Sequence, residues 1–238
     1  MNTIKSESQF YALLIGINYY EPNPYYSSLM GAVRDIQLVE EYLTKTLQIP
    51  SEQIKKLISK EEKFNLESIR ANYKQKILPT YKNIIDAFNE ITQIAKHGDL
   101  VYIHYSGHGG RVKTLFPEIK LEQQDEGIVP TDIGTSGRYL RDIEIATLLK
   151  RMTDKGLIVS IVFDSCHSGG ATRGDYAIRG GAVIDNNQRT QKSLVAPRDE
   201  LIENWKQLTT GKSMQGWLPK QRNYVFLAAC RPSELDYE

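Results

Sequence analysis

Short runs of consecutive apolar residues alternate along this chain with longer stretches in which apolar residues recur every three or four positions. The first pattern is typical of strands covered on both faces, and the second of amphipathic helices. The apolar runs predict strands at residues 10–17, 99–105, 156–164 and 223–229, and residues 54–59 could form a further strand. The helical spacing predicts helices at residues 31–47, 84–95 and 142–152, and a further helix from Asn65 towards Pro79. Such alternation implies parallel crossovers, so we predict an α/β fold with a mostly parallel sheet and helices on both faces.

Three stretches carry neither pattern clearly. Residues 18–28 hold two prolines and four tyrosines, and we interpret them as a surface loop stiffened by proline, with a rim for substrate as the functional alternative. We expect a polar loop between the strand at 99–105 and the helix at 142–152. Residues 171–217 are polar, with many glycines and scattered basic residues, and we interpret them as a weakly structured, linker-like segment inside one domain covering residues 1–238.

Length, composition and charge limit the kinds of protein that this chain could be. The chain has 238 residues, of which 40% are hydrophobic, enough for one packed α/β domain. Thirty basic and 29 acidic residues nearly cancel, so the charge points to no nucleic-acid partner and no membrane. No apolar run approaches the ~20 residues that cross a bilayer. Two cysteines, Cys166 and Cys230, make no disulfide framework, and the N-terminus is polar, so we expect a cytoplasmic protein. We also expect a monomer.

Two of the predicted strands end in residues that can do chemistry. Residues 99–105 run into Ser106, Gly107, His108 and Gly109, and residues 156–164 run into Cys166. The carboxyl ends of parallel strands meet at one edge of a sheet, so His108 and Cys166 face each other if their strands are neighbours. A thiol with a pKa of ~8.5 is mostly protonated at neutral pH, and an adjacent imidazole that takes its proton creates a nucleophile. The glycines let a peptide approach and free a backbone N–H for a developing oxyanion.

Each of these residues also has a structural interpretation. Cys166 could be an inert buried thiol, and Cys230, which ends an apolar strand with no histidine motif nearby, is interpreted as structural. His104, His108, Cys166 and His167 could bind zinc, although the spacing of the first two at a strand end does not place both on one face.

In this order, and each after an apolar strand, the Ser106–Gly109 and Asp164–Gly169 motifs resemble those of caspase-like cysteine peptidases. They are most similar to the metacaspases and their bacterial relatives, the orthocaspases. Residues 11–18, 29–35, 125–132 and 226–238 also resemble family segments, in the family's order. The resemblance implies a caspase-like fold, a three-layer sandwich, and a cysteine endopeptidase that acts on polypeptides. It implies that His108 is the general base, that Cys166 is the nucleophile, and that the N–H groups of Gly109 and Cys166 stabilise the oxyanion.

The resemblance also implies a substrate preference. Asp35, Ser106 and Asp164 match the positions that line the family's pocket for the residue before the cut. Two carboxylates around one cavity are costly to bury without a cation, and a substrate Arg or Lys supplies one. We therefore expect cleavage of polypeptides after Arg or Lys. An ordinary acidic residue near the start of a helix is the alternative for Asp35.

The chain departs from the family in two places. Calcium-dependent metacaspases carry an acid pair before the helix that follows the polar loop, and another acid beyond the nucleophile. Here Arg141 and Asp142 stand at the first place and Arg173 near the second. Arginine supplies no oxygen ligand, so we expect no calcium requirement, no metal and no cofactor. The resemblance also leads us to expect a further strand and helix after residues 232–238.

Two further hypotheses concern processing and function. Related enzymes cut themselves within the segment that matches residues 171–217, so we hypothesise self-processing there. The alternatives to an active peptidase are a catalytically idle caspase-like scaffold and a clan relative that cuts after another residue. The presence of Cys166, His108 and the acids of the pocket favours the peptidase.

Overall fold

In the part of the chain that the structure describes, five parallel strands form the central sheet. The computed structural model describes residues 8–60, 78–165, 184–210, 214–215, 218–219 and 224–228. Its strands are β1 (Phe10–Ile17), β2 (Ile54–Ser59), β3 (Leu100–Ser106), β4 (Gly109–Lys113), β5 (Gln124–Ile128), β6 (Leu140–Arg141), β7 (Ile158–Asp164), β8 (Met214–Gln215), β9 (Leu218–Pro219) and β10 (Tyr224–Ala228). The central sheet has the order β10-β7-β3-β1-β2, with every neighbouring pair parallel. β1 and β2 have the predicted bounds.

Helices cover both faces of this sheet. They are α1 (Ala32–Glu41), α2 (Tyr81–Ile94), α3 (Asp142–Asp154) and α4 (Arg198–Thr209). Alternate residues of β1 point to opposite faces, so Ala12 and Leu14 pack with α1 while Leu13 and Ile15 belong to the larger core that includes α2 and α3. The predicted α/β fold with helices on both faces is therefore confirmed. The helix expected after Asn65 lies outside the described residues.

A small antiparallel sheet replaces the expected polar loop between β3 and α3. β5 pairs with β4 on one side and with β6 on the other. The prediction was wrong because these strands have only two to five residues each. They bury Gly127 and the charged side chains of Asp125 and Arg141. Hydrophobic alternation therefore does not reveal them.

Helix α4 lies inside the segment that sequence analysis treated as linker-like. Its buried residues are Leu201, Trp205 and Leu208, which share one face and pack on the side of α3. The interpretation of residues 171–217 as weakly structured is wrong for this helix. The remaining positions of the helix are mostly polar, so its single apolar stripe did not stand out from the polar sequence around it.

The ends of three neighbouring strands define one edge of the sheet. Gly16 of β1 pairs in register with Ser106 of β3, and Ser106 pairs with Asp164 of β7. These residues therefore form a row at the carboxyl edge, where ligands bind in open α/β sheets. Among the described residues, no helix has both the length and the apolar character needed to cross a bilayer.

Candidate active site

Asp35, Ser106 and Asp164 meet at the carboxyl edge of the sheet. The buried Ser106 hydroxyl donates to Oδ2 of Asp35 at 3.1 Å and lies 3.4 Å from Oδ2 of Asp164. Both carboxyl groups belong to partly exposed residues. Asp35 stands in the first turn of α1, as its ordinary structural interpretation requires, but its carboxylate also contacts the strand end. Two carboxylates around one hydroxyl form the charge pattern that stabilises a bound cation.

Close packing between β1 and α1 brings Asp35 to this edge. A Cβ atom on Gly16 would lie 2.9 Å from Cγ1 of Ile36 and 3.0 Å from the carbonyl oxygen of Ala32. A side chain at Gly16 would therefore push the start of α1 away from the sheet. The glycine lets the first turn of the helix lie directly over the ends of the strands.

His108 follows two residues after Ser106 and is 2% exposed. Its Nε2 atom lies 2.8 Å from the main-chain carbonyl oxygen of Ser27. A carbonyl oxygen only accepts hydrogen bonds, so Nε2 carries the hydrogen and, in the neutral ring, Nδ1 is the basic nitrogen. This contact thus selects the tautomer of His108, a feature that sequence analysis did not find.

The tyrosine-rich loop at residues 18–28 is packed around this histidine. The ring centroids of Tyr20 and Tyr26 lie 4.8 Å and 5.3 Å from that of His108, and both tyrosines are buried. The loop is fixed to neighbouring elements by main-chain hydrogen bonds from Asn18 to Ser59 and from Glu21 to Thr131. The interpretation as a plain surface loop was therefore wrong for these two side chains. The signal was four tyrosines directly after a strand that ends at the candidate site.

The remaining predicted residues are only partly placed. Gly109 begins β4 and pairs in register with Ile128. β7 delivers Asp164 and the buried Ser165 to the sheet edge, whereas Cys166, His167 and Cys230 lie outside the described residues. The catalytic roles of His108, Gly109 and Cys166 stay predictions.

The histidines of β3 and its end have separate partners. His104 is half-buried, and its Nδ1 atom lies 2.8 Å from the Tyr102 hydroxyl, whereas His108 faces the Ser27 carbonyl. Within the described ranges, no three His, Cys, Asp or Glu side chains are grouped so as to bind a metal ion.

Two basic side chains form ion pairs with acidic residues, one in the small sheet and one in α3. The Arg141 guanidinium contacts the carboxylate of Asp125, and both side chains are fully buried. Arg141 also donates to the carbonyl oxygens of Lys113 and Gln188. Lys120 forms an ion pair with Asp142 at the start of α3. Each of these acids thus already has a protein cation as its partner.

The fold has a counterpart among solved structures. Protein GSU0716 from Geobacter sulfurreducens superposes with a TM-score of 0.57 at 20% sequence identity, over 95% of this chain and 75% of that one. This likeness concerns the fold alone. The parallel sheet with helices on both faces makes this an α/β protein, as predicted for a caspase-like fold.

Sequence comparison gives the family. The model of the metacaspase, peptidase C14 domain matches residues 11–173. Metacaspase-7 of Arabidopsis thaliana is 37% identical over 159 residues, and Metacaspase-1 of Candida albicans is 32% identical over 162 residues. The chain belongs to the metacaspase peptidase C14 domain family. The aligned regions cover 67% and 66% of this chain but 34% and 33% of those relatives, so the chain spans about a third of their length.

Proposed function

We propose that this chain is a cysteine endopeptidase that hydrolyses polypeptides after Arg or Lys. The observation that carries the proposal is the contact of the Ser106 hydroxyl with both Asp35 and Asp164, at the strand ends next to His108. A guanidinium or ammonium group of a substrate would form charge-assisted hydrogen bonds with these carboxylates. A substrate Asp would meet repulsion at the same place.

The proposed mechanism uses His108 as the proton carrier and Cys166 as the nucleophile. Nδ1 of His108, left basic by the Nε2 contact with Ser27, takes the thiol proton. The thiolate attacks the peptide carbonyl carbon, and the N–H groups of Gly109 and Cys166 stabilise the oxyanion. His108 then gives its proton to the departing amine, and the acyl group remains on Cys166 as a thioester. Water, deprotonated by the same imidazole, hydrolyses the thioester and restores the thiol.

We also propose that the activity needs no calcium. Calcium binds several oxygen ligands, and a carboxylate engaged by a buried guanidinium is a poor ligand for a second cation. The support is that Asp125 is paired with Arg141 and that Asp142 is paired with Lys120. In this proposal Arg141 and Lys120 hold the two carboxylates in place without a bound metal ion.

One experiment tests both proposals. Purified wild-type protein and Cys166→Ala are given fluorogenic peptides that differ only in Arg, Lys, Asp or Asn before the reporter group, with and without a calcium chelator. We expect turnover after Arg and Lys, none after Asp or Asn, none by Cys166→Ala, and no effect of the chelator. Turnover after Asp but not Arg contradicts the specificity, and activity that the chelator abolishes and calcium restores contradicts the calcium independence.

A further inference from the structure

The main chain of His108 is held between two buried tyrosine hydroxyls. The His108 N–H donates to the Tyr20 hydroxyl at 2.7 Å, and the Tyr105 hydroxyl donates to the His108 carbonyl oxygen at 2.6 Å. Tyr20 is 3% exposed and Tyr105 is fully buried. The N–H and the carbonyl oxygen of His108 are thus each hydrogen-bonded to a buried tyrosine hydroxyl.

Gly107 is part of the same arrangement. A Cβ atom on Gly107 would lie 2.8 Å from both the Tyr20 and the Tyr105 hydroxyl oxygens. Such a contact is closer than packed atoms allow, so a side chain there would separate the hydroxyls from the main chain of His108. The glycine before the histidine is therefore required for these two hydrogen bonds.

The two tyrosines come from elements that are themselves fixed. Tyr105 lies in the central strand β3, which pairs with β1 and β7 on its two sides. Tyr20 lies in the 18–28 loop, next to Glu21, whose N–H donates to the carbonyl oxygen of Thr131 at 2.8 Å. The two hydrogen bonds therefore tie His108 to both the sheet and the loop that supplies the Ser27 carbonyl.

We propose that Tyr20 and Tyr105 are positioning residues for His108, and that their hydroxyls fix the two peptide groups on either side of its Cα atom and thereby the position of the imidazole. Neither hydroxyl is required to touch substrate. Proton transfer depends steeply on geometry, since a displacement of ~1 Å in a catalytic group can cost about 10²-fold in rate. The kinetic form of this proposal rests on the peptidase function proposed above.

Tyr20→Phe and Tyr105→Phe keep each ring and remove only the hydroxyl. We expect each variant to lower kcat by about 10-fold or more while KM changes by less than about twofold, because the acidic pocket is not altered. The double variant should be little worse than the poorer single variant, since both hydroxyls hold the main chain of the same residue. The matched control is Tyr102→Phe in the same strand, whose hydroxyl contacts His104 instead.

A measurement that does not depend on catalysis tests the positioning of His108 separately from the proposed peptidase function. The chain has four histidines, so imidazole NMR signals can be followed in labelled protein, with His108 assigned from a His108→Gln variant. We expect the imidazole chemical shifts of His108 to change in Tyr20→Phe and Tyr105→Phe but not in Tyr102→Phe.

The outcomes are distinct. If wild type cleaves no peptide while the His108 signals respond as expected, the proposed function fails and the positioning role stands. The positioning role is overturned if the His108 signals of both variants match those of Tyr102→Phe. It is equally overturned if wild type is active and both variants retain its kcat within about twofold.

Discussion

The carboxylates of Asp35 and Asp164 lie on different elements, yet both are within reach of the Ser106 hydroxyl. If they select a basic residue, neutralising either one should reduce kcat/KM for an Arg peptide by about 100-fold, as expected for loss of a partly buried charge partner. Asp35→Asn and Asp164→Asn test this with Arg and Asp peptides side by side. Ser106→Ala should lose less, since it removes a neutral hydroxyl.

A control for these substitutions is available on the same helix as Asp35. Glu41 is the last residue of α1 and forms an exposed pair with Lys45. Glu41→Gln also removes one negative charge from α1, but we expect kcat/KM within about twofold of wild type, because exposed pairs contribute little. Retention of full Arg turnover by both Asp35→Asn and Asp164→Asn would falsify the assigned pocket.

At the scale of elements, Arg141 joins three parts of the chain. It lies in β6, pairs with Asp125 of β5, and donates to the carbonyl oxygens of Lys113 in β4 and of Gln188. Arg141→Met leaves the Asp125 carboxylate buried without its cation, so we expect the free energy of unfolding to fall by about 3–5 kcal/mol. Urea denaturation measures this. Adding Asp125→Asn should recover part of the loss.

The exposed pair between Arg198 and Glu118 is the matched control for that change. Arg198→Met removes an arginine–carboxylate pair at the surface, and we expect it to cost about 1 kcal/mol or less. Equal losses in Arg141→Met and Arg198→Met would show that Arg141 does not join the small sheet to residues 184–191 in the way described.

Helix α2 begins beside a carboxyl group with an altered pKa. Oδ1 of Asp132 accepts from the N–H of Tyr81 at 2.8 Å, and burial raises the pKa of Asp132 to about 6. The folded state therefore holds this proton more tightly than the unfolded state, so stability is greatest below the unfolded pKa of ~3.9 and falls as the pH rises through about 6.

Asp132→Asn removes this titration while keeping an acceptor for Tyr81. Between pH 5 and 7.5 the free energy of unfolding of the variant, relative to wild type, should rise by about 1 kcal/mol. Urea denaturation at the two pH values measures this difference, and Asp86→Asn, on the exposed side of α2, is the control expected to show no such change. A constant difference between Asp132→Asn and wild type would contradict the prediction.

Sequence patterns predicted some elements and missed others for physical reasons. A strand buried on both faces is a continuous apolar run, so β1 was found at its observed bounds. The partly exposed edge strand β2 was also found at its bounds, although it contains two lysines. The small sheet was missed because its stability depends on buried polar contacts such as Arg141 with Asp125, which leave no apolar period. The Ser27 carbonyl and the Tyr20 hydroxyl were missed at the candidate site, because main-chain contacts made by a loop depend on how the whole chain folds.

Over the whole molecule, the fold limits where the chain could cut itself. We propose self-processing within residues 171–217, after exposed basic residues. In the described part of that segment Arg189 is buried, and its guanidinium contacts Asp185 and the carbonyl oxygens of Ile133 and Gly137. Lys192 is exposed and outside a helix, whereas Lys206 is exposed within α4. Exposed, non-helical backbone enters a protease cleft more readily than a buried or helical segment.

We therefore expect mass spectrometry of incubated wild-type protein to show fragments that end at Lys192 rather than at Arg189 or Lys206. Cys166→Ala should give no fragments. Lys192→Gln should remove the Lys192 product, whereas Lys206→Gln, which changes an equally exposed lysine on a helix, should leave the fragment pattern unchanged. Fragments that persist in Cys166→Ala would rule out self-processing. A product ending at Arg189 from folded protein would mean that residues 184–191 separate from the small sheet before the cut, because the guanidinium of Arg189 must leave Asp185 first.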